Sequence, residues 1–255
     1  MDLGLKGQRV LVTGGSMGIG LATAHVFAQE GCSVVIAARN GERLNEAAAG
    51  LEKAGAKVTT FVADLSRDAD RERLAQEQGD ADILVNNAGA IPAGDIFAVD
   101  MARWQEAWSL KVMGYIHMTQ LFLSHMKVRG SGTIVNIIGG AGRSPRWDYV
   151  CGGTGNAALM AFTGAVGGKS PDFGVRVFGI NPAPTRTDRI VRQSKIRAQA
   201  ALGDENRWQE MLAALPFGRP IEPEEIARAV AFLASPACGY VSGAVLDIDG
   251  GGAFR

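Results

Sequence analysis

Residues 13–20, Thr-Gly-Gly-Ser-Met-Gly-Ile-Gly, decide the fold of this chain. They follow a short apolar run, Arg9–Thr13 (RVLVT), which predicts a buried strand. They also open Met17–Gln29, where apolar residues recur at helical spacing. Glycines let a backbone approach a phosphate closely, and a helix N-terminus attracts negative charge. Strand, glycine turn and helix in this order therefore predict a nucleotide site.

Strands and helices continue to alternate along the rest of the chain. A second helix is predicted at Gly41–Ala54, and further strands are predicted at Ser33–Ala38, Val58–Ala63, Ile83–Asn87, Thr133–Ile138, Val175–Ile180 and Gly243–Ile248. The strands are apolar without alternation, as expected when helices cover both faces of a parallel sheet. We predict an α/β fold: one Rossmann-like, doubly wound parallel sheet in a single domain, residues 1–255. The charged, helix-prone residues 188–216 are interpreted as a late insertion over the site.

Composition narrows the classes of partner. Lys+Arg and Asp+Glu both number 26, so the formal net charge is zero and gives no long-range attraction to nucleic acid or anionic membrane. No apolar run approaches the roughly 20 residues that span a bilayer. Cys32, Cys151 and Cys238 lie far apart without metal-ligand spacing. The cysteine spacing predicts a reducing, cytoplasmic location and no metal site. We expect the substrate to be a small molecule.

The end of the second predicted strand bears on the choice of nucleotide. An acidic residue there would bind the adenosine ribose and repel a 2′-phosphate. The chain instead has Arg39, which can pair with that phosphate. We therefore favour NADP(H) over NAD(H), although a solvated loop arginine would look the same in sequence.

Three ordered motifs resemble the short-chain dehydrogenase/reductase family. Thr13–Gly20 matches its TGxxxGxG motif, and Asn86–Gly89 matches its NNAG motif. Asn181–Thr185 (NPAPT) resembles its Asn-Pro-Gly segment, with Ala183 in place of glycine. The resemblance covers nearly the whole chain and implies a homodimer or homotetramer. It also implies cofactor contacts at Gly14, Ser16, Met17, Gly18, Ile19, Gly20, Arg39, Asp64, Leu65, Asn87, Ala88, Gly89, Pro182, Ala183, Thr185 and Thr187.

The four catalytic positions implied by the same resemblance depart from the family pattern. The family uses a Ser to position the substrate oxygen, a Tyr to transfer a proton, a Lys four residues later, and an Asn on a neighbouring helix. At these positions the chain has, in the same order, Gly139, Gly152, Asn156 and Lys111. A glycine side chain cannot donate a proton, so the usual mechanism cannot run unchanged.

The Lys and the Asn look exchanged between two helices, as Lys111 and Asn156. Tyr149 lies three residues before Gly152, about one helical turn, so its ring is predicted to point into the same cleft. Our hypothesis is that Tyr149 transfers the proton while Lys111 favours its phenolate. Two alternatives stay open. In one, glycines 152, 153 and 155 weaken the helix, the segment is a loop until Asn156, and Tyr149 points elsewhere. In the other, Lys111 extends to solvent.

Three functions follow from these readings. The first is an NADP(H)-dependent oxidoreductase that interconverts a carbonyl and an alcohol with a rearranged acid-base site of Lys111, Tyr149 and Asn156. The second is a non-redox lyase or isomerase in which Lys111 acts as a base or forms a Schiff base. The third is a nucleotide-binding protein without redox activity. Arg143 and Arg146 lie in the loop over the substrate space and are candidates for binding a carboxylate or phosphate, or for a solvated charged face.

Overall fold

The computed structural model of the protein describes residues 1–254, except for the side chain of Arg189. Its strands are β1 (Arg9–Thr13), β2 (Ser33–Ala38), β3 (Lys57–Val62), β4 (Ile83–Asn86), β5 (Gly132–Ile137), β6 (Val175–Pro182) and β7 (Val245–Ile248). Its helices are α1 (Gly18–Gln29), α2 (Gly41–Lys53), α3 (Asp68–Gln78), α4 (Met101–Trp108), α5 (Gly114–Arg129), α6 (Val150–Lys169), α7 (Asp188–Leu202) and α8 (Pro223–Ala234). A π-helical turn, Ser109–Met113, joins α4 to α5.

The seven strands form one parallel sheet in the order β3-β2-β1-β4-β5-β6-β7. Chain order reverses between β1 and β4, so the loops that follow these two strands diverge to opposite faces. In an open α/β sheet, such a crevice at the carboxyl ends of the strands is where ligands bind. The predicted fold class is confirmed, and the predicted sites lie at this edge.

Apolar side chains fill both faces of the sheet. One cluster joins β1 and β2 to α1, α2 and α8 and includes Phe27, Ile36 and Leu44. The other joins the opposite face to α3 and α5 and includes Leu74, Phe122 and Ile134. Because both faces are covered, the strands carry continuous apolar runs, and the sequence pattern is explained. In residues 1–254, no helix has the length and apolar character needed to cross a membrane.

The structure shifts a boundary of most predicted elements by one or two residues, most of all in the last two strands, and it corrects one open alternative. The last strand begins at Val245 rather than Gly243. Gly243 has φ +74°, which is not a strand conformation, and its N–H donates to the carbonyl of Val177 before the pairing of β7 begins. Strand β6 runs on to Pro182 because its pairing with β7 continues there. The alternative of a loop before Asn156 is wrong, because α6 begins at Val150 and includes all three glycines.

The late segment contains α7 followed by a 3₁₀ turn, Glu205–Leu212, that packs against it. Thr187, immediately before α7, has its methyl carbon 3.1 Å from the position that a β-carbon on Gly18 would take. The start of the segment thus lies directly on the glycine turn. That residues 188–216 act as a lid stays a prediction.

Candidate active site

The glycine turn after β1 has the backbone that a phosphate cradle requires. Gly14 and Gly18 have φ values of +65° and +55°, which side chains disfavour. A β-carbon at Gly20 would lie 2.2 Å from the carbonyl oxygen of Gly14, so only glycine fits there. The open backbone and the free N-terminal amides of α1 suit a pyrophosphate, and these residues therefore fit a nicotinamide dinucleotide.

Side-chain hydrogen bonds lock the NNAG segment to this turn. Thr13 Oγ1 accepts from the backbone N–H groups of Asn87 (2.9 Å) and Ala88 (3.1 Å). Asn87 Nδ2 in return donates to the carbonyl oxygens of Thr13 (3.0 Å) and Gly14 (3.2 Å). The loops after β1 and β4 are held as one unit at the switch point of the sheet.

The remaining cofactor candidates lie along the same edge. Arg39 follows β2 and is exposed to solvent. Asp64 follows β3, and its Oδ1 accepts from the backbone N–H and the hydroxyl of Ser66 (3.1 and 2.8 Å). Thr185 and Thr187 follow β6. The structure brings together the carboxyl ends of the strands that carry the family's cofactor motifs.

Lys111 is buried in the π-helical turn, with 8% of its surface exposed. Its Nζ donates to the carbonyl oxygen of Ile137 (2.6 Å) and to Tyr115 Oη (3.0 Å). Its stem runs past the NNAG segment, since a β-carbon on Gly89 would lie 2.6 Å from Lys111 Cδ. The alternative that Lys111 extends to solvent is wrong.

Tyr115 is a member of the site that the sequence reading missed. Its hydroxyl accepts from Lys111 Nζ and donates to the carbonyl of Ile137 (3.0 Å). Complete burial raises the pKa of Tyr115 well above its usual value, so the phenol stays protonated. The spacing Lys111-x-x-x-Tyr115, one helical turn, was the available sequence signal.

Tyr149 fills the space beside Gly152. A β-carbon at Gly152 would lie 2.1 Å from Tyr149 Cε1 and Cζ and 2.6 Å from its Oη. The Tyr149 ring therefore occupies the place where a side chain at position 152 would begin. The Tyr149 hydroxyl lies near the position that the β-carbon of residue 152 would take. A tyrosine at position 152 would hold its own hydroxyl farther from the backbone of α6, by about the length of its ring.

Asn156 fills the space beside Gly139, as Tyr149 fills the space beside Gly152. It is buried, and its Nδ2 lies 2.9 Å from the place of a β-carbon at Gly139. Gly139 has φ +132°, which L side chains rarely adopt. A serine there would have to change the backbone and displace the Asn156 amide. Gly139 and Gly152, the predicted catalytic positions, are thus each covered by a neighbouring polar side chain.

Both arginines of the loop before α6 already have carboxylate partners. Arg143 Nε lies 2.7 Å from Asp247 Oδ2, and its Nη2 donates to the carbonyl of Val245 (2.9 Å). Arg146 Nε lies 3.2 Å from Asp148, and both side chains are mostly exposed. An anionic substrate group would have to compete with these carboxylates.

Other reactive groups are weaker candidates. Burial raises the pKa of the Cys151 thiol, which keeps it protonated and poorly nucleophilic. Among the residues that the structure describes, no three His, Cys, Asp or Glu side chains converge on a metal position.

Comparison with known proteins agrees with this geometry. Residues 8–197 match the family model described as short chain dehydrogenase. The chain belongs to the short-chain dehydrogenase family. As a member of that family it is an NAD(P)-dependent oxidoreductase.

Individual relatives of this short-chain dehydrogenase span its full length. It is 34% identical to the gluconate 5-dehydrogenase of Gluconobacter oxydans, over 97% of this chain and 95% of that protein. The structure of L-sorbose reductase from Gluconobacter frateurii, complexed with NADPH and L-sorbose, matches with a TM-score of 0.91 and 33% identity, over 98% of both chains. A 7α-hydroxysteroid dehydrogenase complexed with NADH matches with a TM-score of 0.88 and 29% identity, over 98% of this chain and 96% of that one. Of these two solved structures, one is complexed with NADPH and the other with NADH.

Proposed function

We propose that this short-chain dehydrogenase is an NADP(H)-dependent oxidoreductase that interconverts a carbonyl and an alcohol with a rearranged acid-base group. One observation carries the proposal. The spaces beside Gly139 and Gly152 are each filled by a polar side chain, the amide of Asn156 and the phenol of Tyr149. Both polar groups lie at the same edge of the sheet as an intact glycine turn, where a bound nicotinamide and a carbonyl would meet.

Each side chain has a defined task in this mechanism. When bound, the nicotinamide supplies or accepts the hydride. Tyr149 Oη donates its proton to the substrate carbonyl oxygen during reduction, and the phenolate takes the proton back during oxidation. Asn156 Nδ2, 2.9 Å from the place where a serine side chain at 139 would begin, donates a hydrogen bond to the same oxygen.

Lys111 supplies a fixed positive charge. Its ammonium is held by Ile137 and Tyr115 beside the NNAG segment, and its proposed task is to stabilise negative charge that develops during the proton transfer. The same hydrogen bonds disfavour the lyase and isomerase alternatives. Schiff-base chemistry needs a neutral, accessible amine, and this amine is buried and donates to two acceptors.

The preference for NADP(H) rests on Arg39. It is exposed at the end of β2, where a ribose 2′-phosphate would lie, and a guanidinium suits a phosphate through charge-assisted hydrogen bonds. The L-sorbose reductase relative, complexed with NADPH, is consistent with this preference.

Oligomerisation is also part of the proposal. An apolar groove of about 330 Å³ is lined by Met101, Trp104, Gln105, Trp108, Ser109 and Met113. The groove lies on α4 and the π-helical turn, and we infer that a second copy of the chain covers it, giving a homodimer or homotetramer. Light scattering after gel filtration measures the mass directly.

The decisive experiment compares two tyrosines. Tyr149→Phe is expected to lower kcat by about 10²–10⁴-fold, the usual contribution of a positioned proton donor, with an unchanged nucleotide Kd. Tyr240→Phe is the control, because Tyr240 is fully exposed at the opposite end of the sheet. Turnover is followed by reduced-nicotinamide absorbance over a panel of ketones. A Tyr149→Phe enzyme with unchanged kcat would overturn the assignment of Tyr149.

A further inference from the structure

Two exposed aromatic side chains stand next to the proposed site. Phe97 is 87% exposed and Trp147 is 61% exposed. Their ring centroids lie 6.1 Å apart with the planes at 66°, an edge-to-face pair. Phe97 belongs to the loop between β4 and α4, and Trp147 belongs to the loop between β5 and α6. Both loops follow the carboxyl ends of their strands, where substrate must enter.

Backbone contacts hold the two loops in place. The N–H of Gly94 donates to the carbonyl of Asp148 (2.9 Å), and Gly94 forms an isolated bridge with Tyr149. Asp95 Oδ1 accepts from the backbone N–H groups of Phe97 and Ala98, both at 2.9 Å. The aromatic pair is therefore fixed one short connection away from the proposed proton donor.

A buried apolar cluster links the loop of Phe97 to the Tyr149 ring. Beneath the two loops lies a small buried cluster of Ile91, Val99, Ala107 and Cys151, and the Tyr149 ring packs against it. Ile91 and Val99 belong to the loop that carries Phe97, and the exposed Ile96 precedes Phe97 in it. This loop is thus packed against the Tyr149 ring through the buried cluster.

Charge at this position argues against an anionic ligand. Arg146, next to Trp147 in sequence, is paired with Asp148. Arg143 is paired with Asp247 and bonded to β7. A carboxylate or phosphate would have to displace one of these carboxylates, whereas a neutral ring would displace only water from two aromatic faces.

We propose that Phe97 and Trp147 form the mouth of the substrate site and select neutral, apolar ring ketones and the matching alcohols over polyhydroxylated or anionic substrates. This inference rests on the proposed carbonyl–alcohol chemistry, because it names the substrate class of that site. A polyol would lose water from its hydroxyl groups against the two rings without gaining hydrogen bonds there.

The test measures binding without turnover, so that its outcome is independent of the roles of Tyr149 and Lys111. The protein is saturated with NADP⁺, against which a ketone cannot react, and ketone Kd is measured by calorimetry. The probes are 1-tetralone, 1-tetralone-6-carboxylate and D-fructose. We expect 1-tetralone to bind at least about tenfold more tightly than the other two, the difference that one well-packed aromatic contact supplies.

Variants assign the selectivity to the pair. Phe97→Ala and Trp147→Ala are each expected to weaken 1-tetralone binding about 5–50-fold and to leave D-fructose binding unchanged. Tyr240→Ala removes an equally exposed aromatic ring at the far end of the sheet and is expected to change neither Kd. Thermal unfolding of the variants checks that the fold is intact.

Three outcomes would overturn the proposal. One is tighter or equal binding of D-fructose or of the carboxylate by the wild-type protein. Another is an unchanged 1-tetralone Kd in both alanine variants. The third is a lowered oligomer mass in the variants together with an unchanged 1-tetralone Kd, which would assign the pair to contact with a second copy of the chain.

Discussion

The substitution Gly152→Ala tests the placement of the Tyr149 ring and its role at the same time. The added β-carbon would lie 2.1 Å from two ring carbons of Tyr149. Carbon atoms in contact normally lie about 3.5–4.0 Å apart, so the ring has to move by about 1.5 Å or more. Forcing one carbon into a packed position typically costs about 1–3 kcal/mol.

Helix propensity acts in the opposite direction and provides the control. Replacing a helix-interior glycine by alanine stabilises by about 1 kcal/mol when space allows. Gly168 lies in the same helix, and a β-carbon there meets nothing within 4 Å. We expect Gly168→Ala to stabilise the protein by up to about 1 kcal/mol. Gly152→Ala should then be less stable than Gly168→Ala by about 1–3 kcal/mol in urea unfolding.

Turnover separates the placement of the ring from its function. A misplacement of about 1 Å at a reacting group costs on the order of 100-fold in rate, so Gly152→Ala should lower kcat at least that far while Gly168→Ala leaves it unchanged. If Gly152→Ala is as stable and as active as Gly168→Ala, the reasoning about Tyr149 is refuted. If its stability falls while kcat is unchanged, the ring placement is right and the catalytic role is wrong.

Four further predictions concern other parts of the molecule. Arg39→Asp should raise the KM for NADPH by about 10–100-fold and lower that for NADH, since one charge-assisted contact is lost and a ribose acceptor is gained; steady-state kinetics with both nucleotides checks this, and an unchanged ratio would contradict it. Tyr115→Phe should lower the free energy of unfolding by about 1–3 kcal/mol, because it leaves the ring in place and removes one acceptor from the buried Lys111 ammonium. Lys111→Met should lower kcat without changing the nucleotide Kd. Equal kcat values for Lys111→Met and the wild-type enzyme would show that Lys111 has no part in the mechanism. Burial raises the pKa of Cys32 from 9.0 to about 12, so its stabilising contribution is complete below pH 9.0 and is lost as pH rises through the folded-state value. Unfolding measured across the alkaline range should fall less steeply with pH in Cys32→Ala than in wild type, and parallel curves would contradict this.

Much of the fold follows from local sequence. The strands β1 and β2 and the glycine turn can be predicted from the sequence, because buried parallel strands are apolar throughout and because a phosphate turn needs glycine at fixed spacing. The ends of the strands are harder to predict. The start of β7 depends on the left-handed backbone of Gly243 and on a bond to Val177, and neither is encoded in the apolar pattern.

The candidate site also has a part that the sequence predicts and a part that depends on tertiary structure. Tyr149 lies three residues before Gly152, and from this spacing the sequence predicts that the ring points into the same cleft. The acceptor that Lys111 finds on Ile137 lies 26 residues away along the chain. The carboxylate that holds Arg143 comes from Asp247, 104 residues away. No spacing rule brings such residues together, because their proximity depends on the order of the strands in the sheet.

The sequence by itself therefore determined that this chain forms a parallel α/β sheet with a glycine turn after its first strand, and it predicts that four catalytic positions of its family are substituted. Both are matters of residue type at short range, where backbone geometry translates spacing directly into position. Only the tertiary structure decided that the spaces beside Gly139 and Gly152 are filled by Asn156 and Tyr149. It also decided that Lys111 is buried against Ile137 and Tyr115 rather than solvated. Those outcomes depend on how β5, α5 and α6 pack against one another, and packing between distant segments is the part that a linear pattern does not contain.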